Sequence, residues 1–406
     1  MLVRYLGGVY LTDIGVRETY LGLLNLLGLP WIIKFLWAAG VDLSSTKRRW
    51  LLSMQMAIAV AAVFLGVVTI FGPASAKTGA VIRFTHIQDV AITVFVGLLI
   101  ITAFLSATHD IAIDGFYMDA IVDPGEQAAY TGLRVTTYRL AVIFAKSVLV
   151  GLAALFTWNA AFFAAGITML GLWIFHSSYL PRPVRTHKKE TFSLKTYIES
   201  FSSYLARDRA IWMLIFVATY KLGDEVLFSM NTPFLMREVG MTKAQLSWVA
   251  GIIGTVFSIA GSLISAWSIK RFGLKKAIWP LTLMMNLNIW AYIMLSVFLP
   301  DPNTLAGLGV VASVHAYEQF ASGLGNAVLI VYIMRTCLPR FKASHYAIAS
   351  ALAGLGGVVI GSFSGVIVHA MGYTNLFLIS FAASLPSMII LFFLGVPVQQ
   401  KNGSVQ

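Results

Sequence analysis

The sequence predicts an all-α polytopic membrane protein, and two observations carry that prediction. Of its 406 residues, 58% are hydrophobic and 11% are charged, and the mean hydropathy is +0.80, whereas soluble domains carry about 25% charged residues. The apolar residues also form runs long enough for bilayer-spanning helices. Basic loops between spans account for the net charge of +12, so we expect a lipid bilayer and no nucleic acid as partner.

Eleven hydrophobic segments follow one another, and we predict a spanning helix in each. Residues 1–12 are also apolar, but they are only about half as long as a span. We expect them to be the end of a truncated first helix, which would complete two sets of six; a short helix lying on the membrane surface is the alternative. The eleven segments are 19–41, 50–72, 89–118, 131–156, 158–180, 211–235, 245–269, 276–299, 306–335, 344–370 and 374–396.

The basic residues predict the orientation of the chain. If the loop at 42–50 is cytoplasmic, alternate loops and the C-terminal tail hold nineteen of the 29 lysines and arginines, the opposite loops hold five, and the spans hold the remaining five. Because cytoplasmic loops are enriched in Lys and Arg, this count predicts a cytoplasmic C-terminus.

The longest stretch between spans divides the chain. Residues 181–210 are basic, and their apolar positions from Leu194 to Leu205 have helical spacing, which predicts an amphipathic helix on the inner membrane face. We therefore predict an N-terminal half at 1–180, a C-terminal half at 211–398 and a tail at 399–406. Two equal helical halves are the plan of transporters built from parallel repeats.

Two carboxylates interrupt the third segment. Asp110 and Asp114 are four residues apart and share one face of a helix. Charged residues inside a span are costly and usually face a protein interior or a water-filled cavity, so they indicate a functional site. The alternative is that the helix ends near Leu105 and that both acids lie among the lipid headgroups or in water.

Other spans carry charged and polar side chains at similar depth, and a central hydrated cavity would explain them together. Carboxylates shielded from water can exchange protons near neutral pH, while fixed cations suit an anionic solute. Lys221 and Asp224 are spaced to pair along one helix face. The full set is Lys34, Arg139 and Lys146 in the first half, and Lys221, Asp224, Glu225, His315, Glu318, His345 and His369 in the second.

Motifs of soluble enzymes are missing from the sequence. It contains no phosphate-binding P-loop, no metal-binding His-x-x-x-His and no nucleophile elbow. We therefore predict a protein that is not an enzyme and that uses neither a cofactor nor a metal ion.

Several motifs follow one another along the chain. They are Asn25 to Asp42, Ser106-Ala-Thr-His-Asp-Ile-Ala-Ile-Asp114, Tyr138-Arg139-Leu, Tyr220-Lys-Leu-Gly-Asp224 and Tyr317-Glu-Gln-Phe-Ala-Ser-Gly-Leu-Gly325. In this order they resemble the motifs of the AmpG muropeptide permeases of the major facilitator superfamily. The resemblance implies a major facilitator fold in the inner membrane of Gram-negative bacteria. It also implies a monomer that imports N-acetylglucosaminyl-anhydro-N-acetylmuramyl peptides, driven by protons, for cell-wall recycling, with a bearing on β-lactamase induction.

The resemblance also implies roles for residues. We expect proton coupling at Asp110, Asp114 and Glu318. We add His109, which stands where relatives usually have Gln, because histidine as a residue type titrates near neutral pH; a simple hydrogen-bonding replacement for Gln is the alternative. Lys146 and Glu225 are charges beyond the family pattern. The residues expected to contact substrate are Lys34, Arg139, Lys146, Lys221, Asp224, Tyr138 and Tyr220.

Two other functions remain open at this point. One is transport of another solute such as an acyl-CoA, which would call for a phosphate-binding basic cluster. The other is a membrane sensor that keeps the fold without transporting.

Overall fold

A computed structural model describes residues 2–73, 85–120, 137–182, 199, 202–206, 210–337 and 342–394. Every regular element within these residues is helical, and seven helices are long and apolar enough to cross a membrane. The prediction of an all-α polytopic membrane protein is thereby confirmed. The seven helices are Lys47–Ile70, His86–Tyr117, Thr137–Leu155, Trp158–Tyr179, Lys243–Phe272, Leu274–Phe298 and Ile348–Ile390.

The predicted span at 19–41 is a broken helix. One break lies between Gly28 and Leu29, and Pro30 follows in the first turn of the next helix, where its missing backbone N–H is tolerated. The pieces are α-helix Glu18–Leu23, 3-10 helix Leu24–Gly28, α-helix Leu29–Ile33 and α-helix Phe35–Ser44.

Other segments are interrupted or joined. The first residues form a π-helical turn, Leu2–Leu6, and then α-helix Gly7–Asp13. Lys342–Ile390 joins two predicted spans through Gly372, whose φ of 81° is open mainly to glycine. The remaining pieces are Phe144–Leu149, Val150–Leu155, Ala210–Thr219, Leu222–Pro233, Phe234–Glu238, Lys243–Leu246, Ser247–Ile253, Gly254–Phe272, Leu274–Leu287, Ile289–Phe298 and Leu305–Thr336.

The chain divides into two compact units. The first contains Met1–Lys188, Met230–Thr255 and Asp301–Leu308, and the second contains Lys189–Ser229, Val256–Pro300 and Gly309–Gln406. The boundaries at 180 and 211 remain predictions. Most of the predicted linker helix and the whole tail at 399–406 lie outside the described residues.

The first unit is organised around Lys47–Ile70, which packs against both Trp158–Tyr179 and His86–Ala120. Glycine permits the close approach, because a Cβ at Gly166 would lie 2.8 Å from the Val63 side chain. An aromatic cluster fills this unit and anchors the first helix in it. Its members are Tyr10, Phe95, Trp158 and Phe162.

The second unit has its own apolar core, in which Phe216 packs against Tyr220 and Tyr332 with ring centroids 5.1 and 4.9 Å apart. Glycines again allow two backbones to touch. Gly261 contacts the carbonyl of Phe320, and Gly323 contacts the carbonyl of Ser258. Helices Gly254–Phe272 and Leu305–Thr336 therefore cross with no room for a side chain at either glycine.

Candidate functional site

The two carboxylates that interrupt the third predicted span lie beside a lysine. Lys34 Nζ is 2.6 Å from Asp110 Oδ2 and 4.0 Å from Asp114 Oδ2. The alternative in which the helix ends near Leu105 is wrong, because the helix runs from His86 to Ala120. Both acids therefore project from a continuous helix toward a cation on another element.

Local structure explains how Lys34 reaches these acids. It is the junction residue between the short helices Leu29–Ile33 and Phe35–Ser44. One turn further on, Trp37 Nε1 donates a hydrogen bond to Thr108 Oγ1 at 3.1 Å. The broken helix is thus fixed to the acid-bearing helix at two points, which sets the position of the lysine.

The pairing is partly open to solvent. The side chain of Lys34 is 31% exposed, and those of Asp110 and Asp114 are 42% exposed. Charges at this exposure can exchange partners with water or with a bound solute. The arrangement can therefore accept a proton on a carboxylate or offer its ammonium group to a substrate carboxylate.

His109 lies next to this cluster along the chain and is more enclosed. Its Nε2 atom is buried and has no hydrogen-bond partner among the described residues. On a neighbouring helix, His176 Nδ1 is 3.0 Å from Gln55 Oε1, and Gln55 is buried. His109 and His176 thus add titratable groups to the first unit beside the Lys34 cluster.

The helix Thr137–Leu155 carries three of the predicted substrate residues, and their side chains are buried to different extents. Tyr138 is exposed, Arg139 is partly buried and Lys146 is buried. Lys146 Nζ lies 4.8 Å from the centre of the Tyr5 ring, an attraction between a cation and an aromatic face. In the described structure Lys146 is therefore held inside the protein by the first helix.

The second unit contains a second cluster on one helical stretch. Lys221 Nζ is 2.8 Å from Glu225 Oε1, so Glu225, regarded from sequence as an additional charge, is its ion-pair partner. Asp224 is 5% exposed and accepts a hydrogen bond from Ser322 Oγ at 3.0 Å. Tyr220 is fully buried, and its hydroxyl lies 3.3 Å from Thr282 Oγ1.

Glu318, the remaining predicted proton-coupling residue, is almost completely buried in the second unit. His315, one helical turn earlier, lies beside it, with its Nδ1 atom 3.5 Å from Glu318 Oε2. The sequence predicted both residues within the spanning segment 306–335, but we did not predict a contact between their side chains.

Four further charges form a cluster that the sequence reasoning missed. Arg237 Nη1 is 2.6 Å from Glu18 Oε1, and its Nη2 donates to the Thr12 carbonyl at 2.6 Å. Lys243 Nζ is 3.0 Å from Asp13 Oδ2, which also accepts from the Trp158 indole at 2.7 Å. Arg237 and Lys243 are two of the five basic residues that the charge count placed in the loops opposite the cytoplasm. They are 219 and 230 positions away from Glu18 and Asp13.

Within the described residues, no group of three or more His, Cys, Asp or Glu side chains could hold a metal ion.

Solved structures of two transporters have the same fold as this chain. The structure matches that of a D-xylose–proton symporter with a TM-score of 0.66, over 98% of this chain and 97% of the other, at 13% identity. It matches a mutant of the nucleoside transporter NupG with a TM-score of 0.65, over 97% and 94%, at 13% identity. The fold is that of the major facilitator transporters, and the chain is a multi-pass membrane protein.

Comparison of sequences identifies relatives whose names are more specific. The chain is 25% identical to the anhydromuropeptide permease of Escherichia coli strain K12, over 91% of this chain and 72% of the relative. It is 26% identical to the putative transporter AmpG 4 of Rickettsia conorii (76% and 74%) and 27% identical to an uncharacterized protein of Haemophilus influenzae (97% and 90%). No family model matches. The resemblance to the AmpG permeases is confirmed. The names of these relatives, a permease and a putative transporter, agree with the prediction that the chain is not an enzyme.

Proposed function

We propose that this chain is a proton-coupled importer of anhydro-muropeptides, residing in the inner membrane with its C-terminus in the cytoplasm. The observation that supports it best is the Lys34–Asp110–Asp114 cluster. Two carboxylates on a spanning helix lie within 4.0 Å of a lysine on a broken helix, and all three side chains are partly open to solvent. The relative named anhydromuropeptide permease suggests the substrate class.

Each member of the cluster has a chemical task in this proposal. Asp110 or Asp114 takes a proton when its contact with Lys34 loosens, since loss of a neighbouring cation favours the protonated carboxyl. The freed ammonium group of Lys34 then binds a carboxylate of the substrate peptide. Proton entry and substrate binding are thereby linked through one shared lysine.

The other predicted residues divide by burial. Tyr138 and Arg139 are the more open and are proposed to contact the sugar and peptide directly, with aromatic stacking and bidentate hydrogen bonding. The more buried residues are proposed to support Tyr138 and Arg139 from within the protein. They are Lys146, Tyr220, Lys221 and Asp224.

The test is uptake of labelled anhydro-muropeptide into right-side-out vesicles, with and without a proton gradient. Asp110→Asn and Asp114→Asn should each lower proton-driven uptake by about tenfold or more, the equivalent of roughly 1.4 kcal/mol. Asp89→Asn is the matched control, because Asp89 is an exposed acid at the other end of the same helix.

Two outcomes would contradict the proposed function. Full proton-driven uptake by both cluster variants would remove the coupling role. Binding of muropeptide by the wild-type protein without any uptake would favour the membrane sensor instead.

A further inference from the structure

A group of buried polar side chains meets in the second unit, and only Glu318 among them belongs to the predicted proton path. His315 Nδ1 is 2.8 Å from the Tyr292 hydroxyl and 3.5 Å from Glu318 Oε2. Gln319 Nε2 donates to both Glu318 oxygens, at 3.2 and 2.9 Å. His315 is 2% exposed and Glu318 is 1% exposed. The group is therefore sealed from solvent in the described structure.

Charge balance constrains this group. An isolated charge enclosed in protein inside a membrane is costly. If Glu318 is ionised, a protonated His315 balances its charge; if His315 is neutral, Glu318 can carry the proton and be neutral as well. In both arrangements the pair is neutral overall and holds one proton shared between two groups.

The helices packed around this group bring uncharged side chains to it, apart from one buried acid: Ser322, one turn after Glu318, donates to Asp224 Oδ2 at 3.0 Å. Tyr292 comes from helix Ile289–Phe298, and Phe377 of the long final helix packs against its ring, with centroids 5.5 Å apart. The crossing helix Gly254–Phe272 brings glycine and serine to the next turn. Tyr373 and the exposed His369 are the titratable groups on the neighbouring stretch of the final helix.

The basic residues on these helices lie at their ends. Lys276 is sixteen positions from Tyr292 and Arg335 is seventeen from Glu318, so each is roughly 24–26 Å away along the helical stretch at about 1.5 Å per residue. Lys270 and Arg271 fall in the last turn of helix Gly254–Phe272. The hydrogen bonds described above come to the pair from Tyr292 and Gln319, which carry no formal charge at neutral pH.

We propose that His315 and Glu318 together form a single-proton binding site, with Tyr292 as its positioning residue. A hydroxyl group can donate to a neutral imidazole nitrogen and accept from a protonated one, so Tyr292 can hold His315 in both states. The inference rests on proton-driven transport as proposed above. It adds a site whose ligand is the proton itself, separate from the Lys34 cluster.

The transport test separates proton coupling from substrate movement. Glu318→Gln and His315→Asn should each reduce proton-driven accumulation by about tenfold or more, because each removes one of the two groups that hold the proton. A tenfold loss corresponds to a fall in proton affinity of about one pK unit. Both should retain exchange of labelled for unlabelled muropeptide across the membrane, which needs no net proton movement. His369→Asn and Glu238→Gln are controls, because both residues are exposed.

A double variant tests whether the site holds one proton or two. Because the two residues share one proton, the His315→Asn/Glu318→Gln double variant should lose no more accumulation than either single variant. Losses that multiply would indicate two independent sites and overturn the proposal. Exchange lost together with accumulation in both single variants would show a purely structural cluster and would overturn it as well.

Infrared difference spectra of the purified protein between two pH values test the pair without any substrate. Wild type should show histidine and carboxyl bands that change together at one pH. Each single variant should lose the band of the substituted residue, and the band of the remaining residue should change at a different pH. Bands that titrate separately would contradict the shared proton. This measurement still decides the inference if the protein proves not to carry muropeptides.

Discussion

Each unit of the molecule contains a lysine beside two acidic residues, but the two clusters are built in different ways. In the first unit, Lys34 and Asp110 come from different helices and are 76 positions apart in the sequence. In the second unit, Lys221, Asp224 and Glu225 lie within five consecutive residues. The first cluster is the more exposed, at 31–42% against 19–23% for the Lys221–Glu225 pair.

This difference indicates which cluster can change its ion pairs during transport. Lys221 immediately precedes helix Leu222–Pro233, and its carbonyl accepts from Glu225 N at 2.8 Å, so the i, i+4 pair persists whenever the first turn of that helix is formed. A pair between separate helices lasts only while those helices keep their relative position. Lys34 and Asp110 can therefore separate in a conformational change that leaves Lys221 and Glu225 together. We expect the first cluster to matter mainly for uptake and the second mainly for stability.

The largest effect on stability should come from Lys221→Gln. The change removes the cation beside Glu225 and the buried Asp224. Breaking a fully buried ion pair costs about 3–5 kcal/mol, and with roughly a fifth of each side chain exposed we expect about 2 kcal/mol. The free energy of unfolding can be measured by titrating the purified protein with dodecyl sulfate.

The controls use the same chain. Lys270→Gln removes an exposed lysine and should change the free energy of unfolding by less than about 0.5 kcal/mol. The Lys221→Gln/Glu225→Gln double variant should regain part of the loss, because neither charge is then left without the other. A loss for Lys221→Gln no larger than for Lys270→Gln would contradict the stabilising role.

Much of the fold could be predicted from the sequence because its signals are local. Apolar runs predicted the helices. The four-residue spacing of Asp110 and Asp114 predicted their common helix face. Each of these features depends on residues close together in the chain.

The partners of charged side chains were harder to predict. Lys221 has Asp224 at i+3 and Glu225 at i+4, and both spacings allow an ion pair; the structure joins it to Glu225 while Ser322 donates to Asp224. The pairs Glu18–Arg237 and Asp13–Lys243 span 219 and 230 positions. No local pattern links residues so far apart, so only the folded chain reveals them.

The next largest effect is on transport, and it should come from Lys34→Gln. Uptake should fall about tenfold, because a charge-assisted contact to a carboxylate is worth roughly 1.5–3 kcal/mol. The free energy of unfolding should change by about 0–1 kcal/mol, as for other exposed pairs. Lys276→Gln, which removes an exposed lysine, is the control for both measurements. Unchanged uptake, or a stability loss larger than that of Lys221→Gln, would reverse the assignment of the two clusters.

The smallest effect is the response of each ion pair to salt. Raising ionic strength from about 0.1 M to about 1 M shortens the screening length from roughly 10 Å to roughly 3 Å, mainly for charges that solvent reaches. Double-variant cycles on Lys34–Asp110 should then lose a few tenths of a kcal/mol of coupling energy, from a starting value of about 0.2–1 kcal/mol. Cycles on Lys221–Glu225 should change less, since protein encloses more of both side chains. Equal salt dependence in the two cycles would show that solvent reaches both clusters alike, and the difference in function would then need another cause.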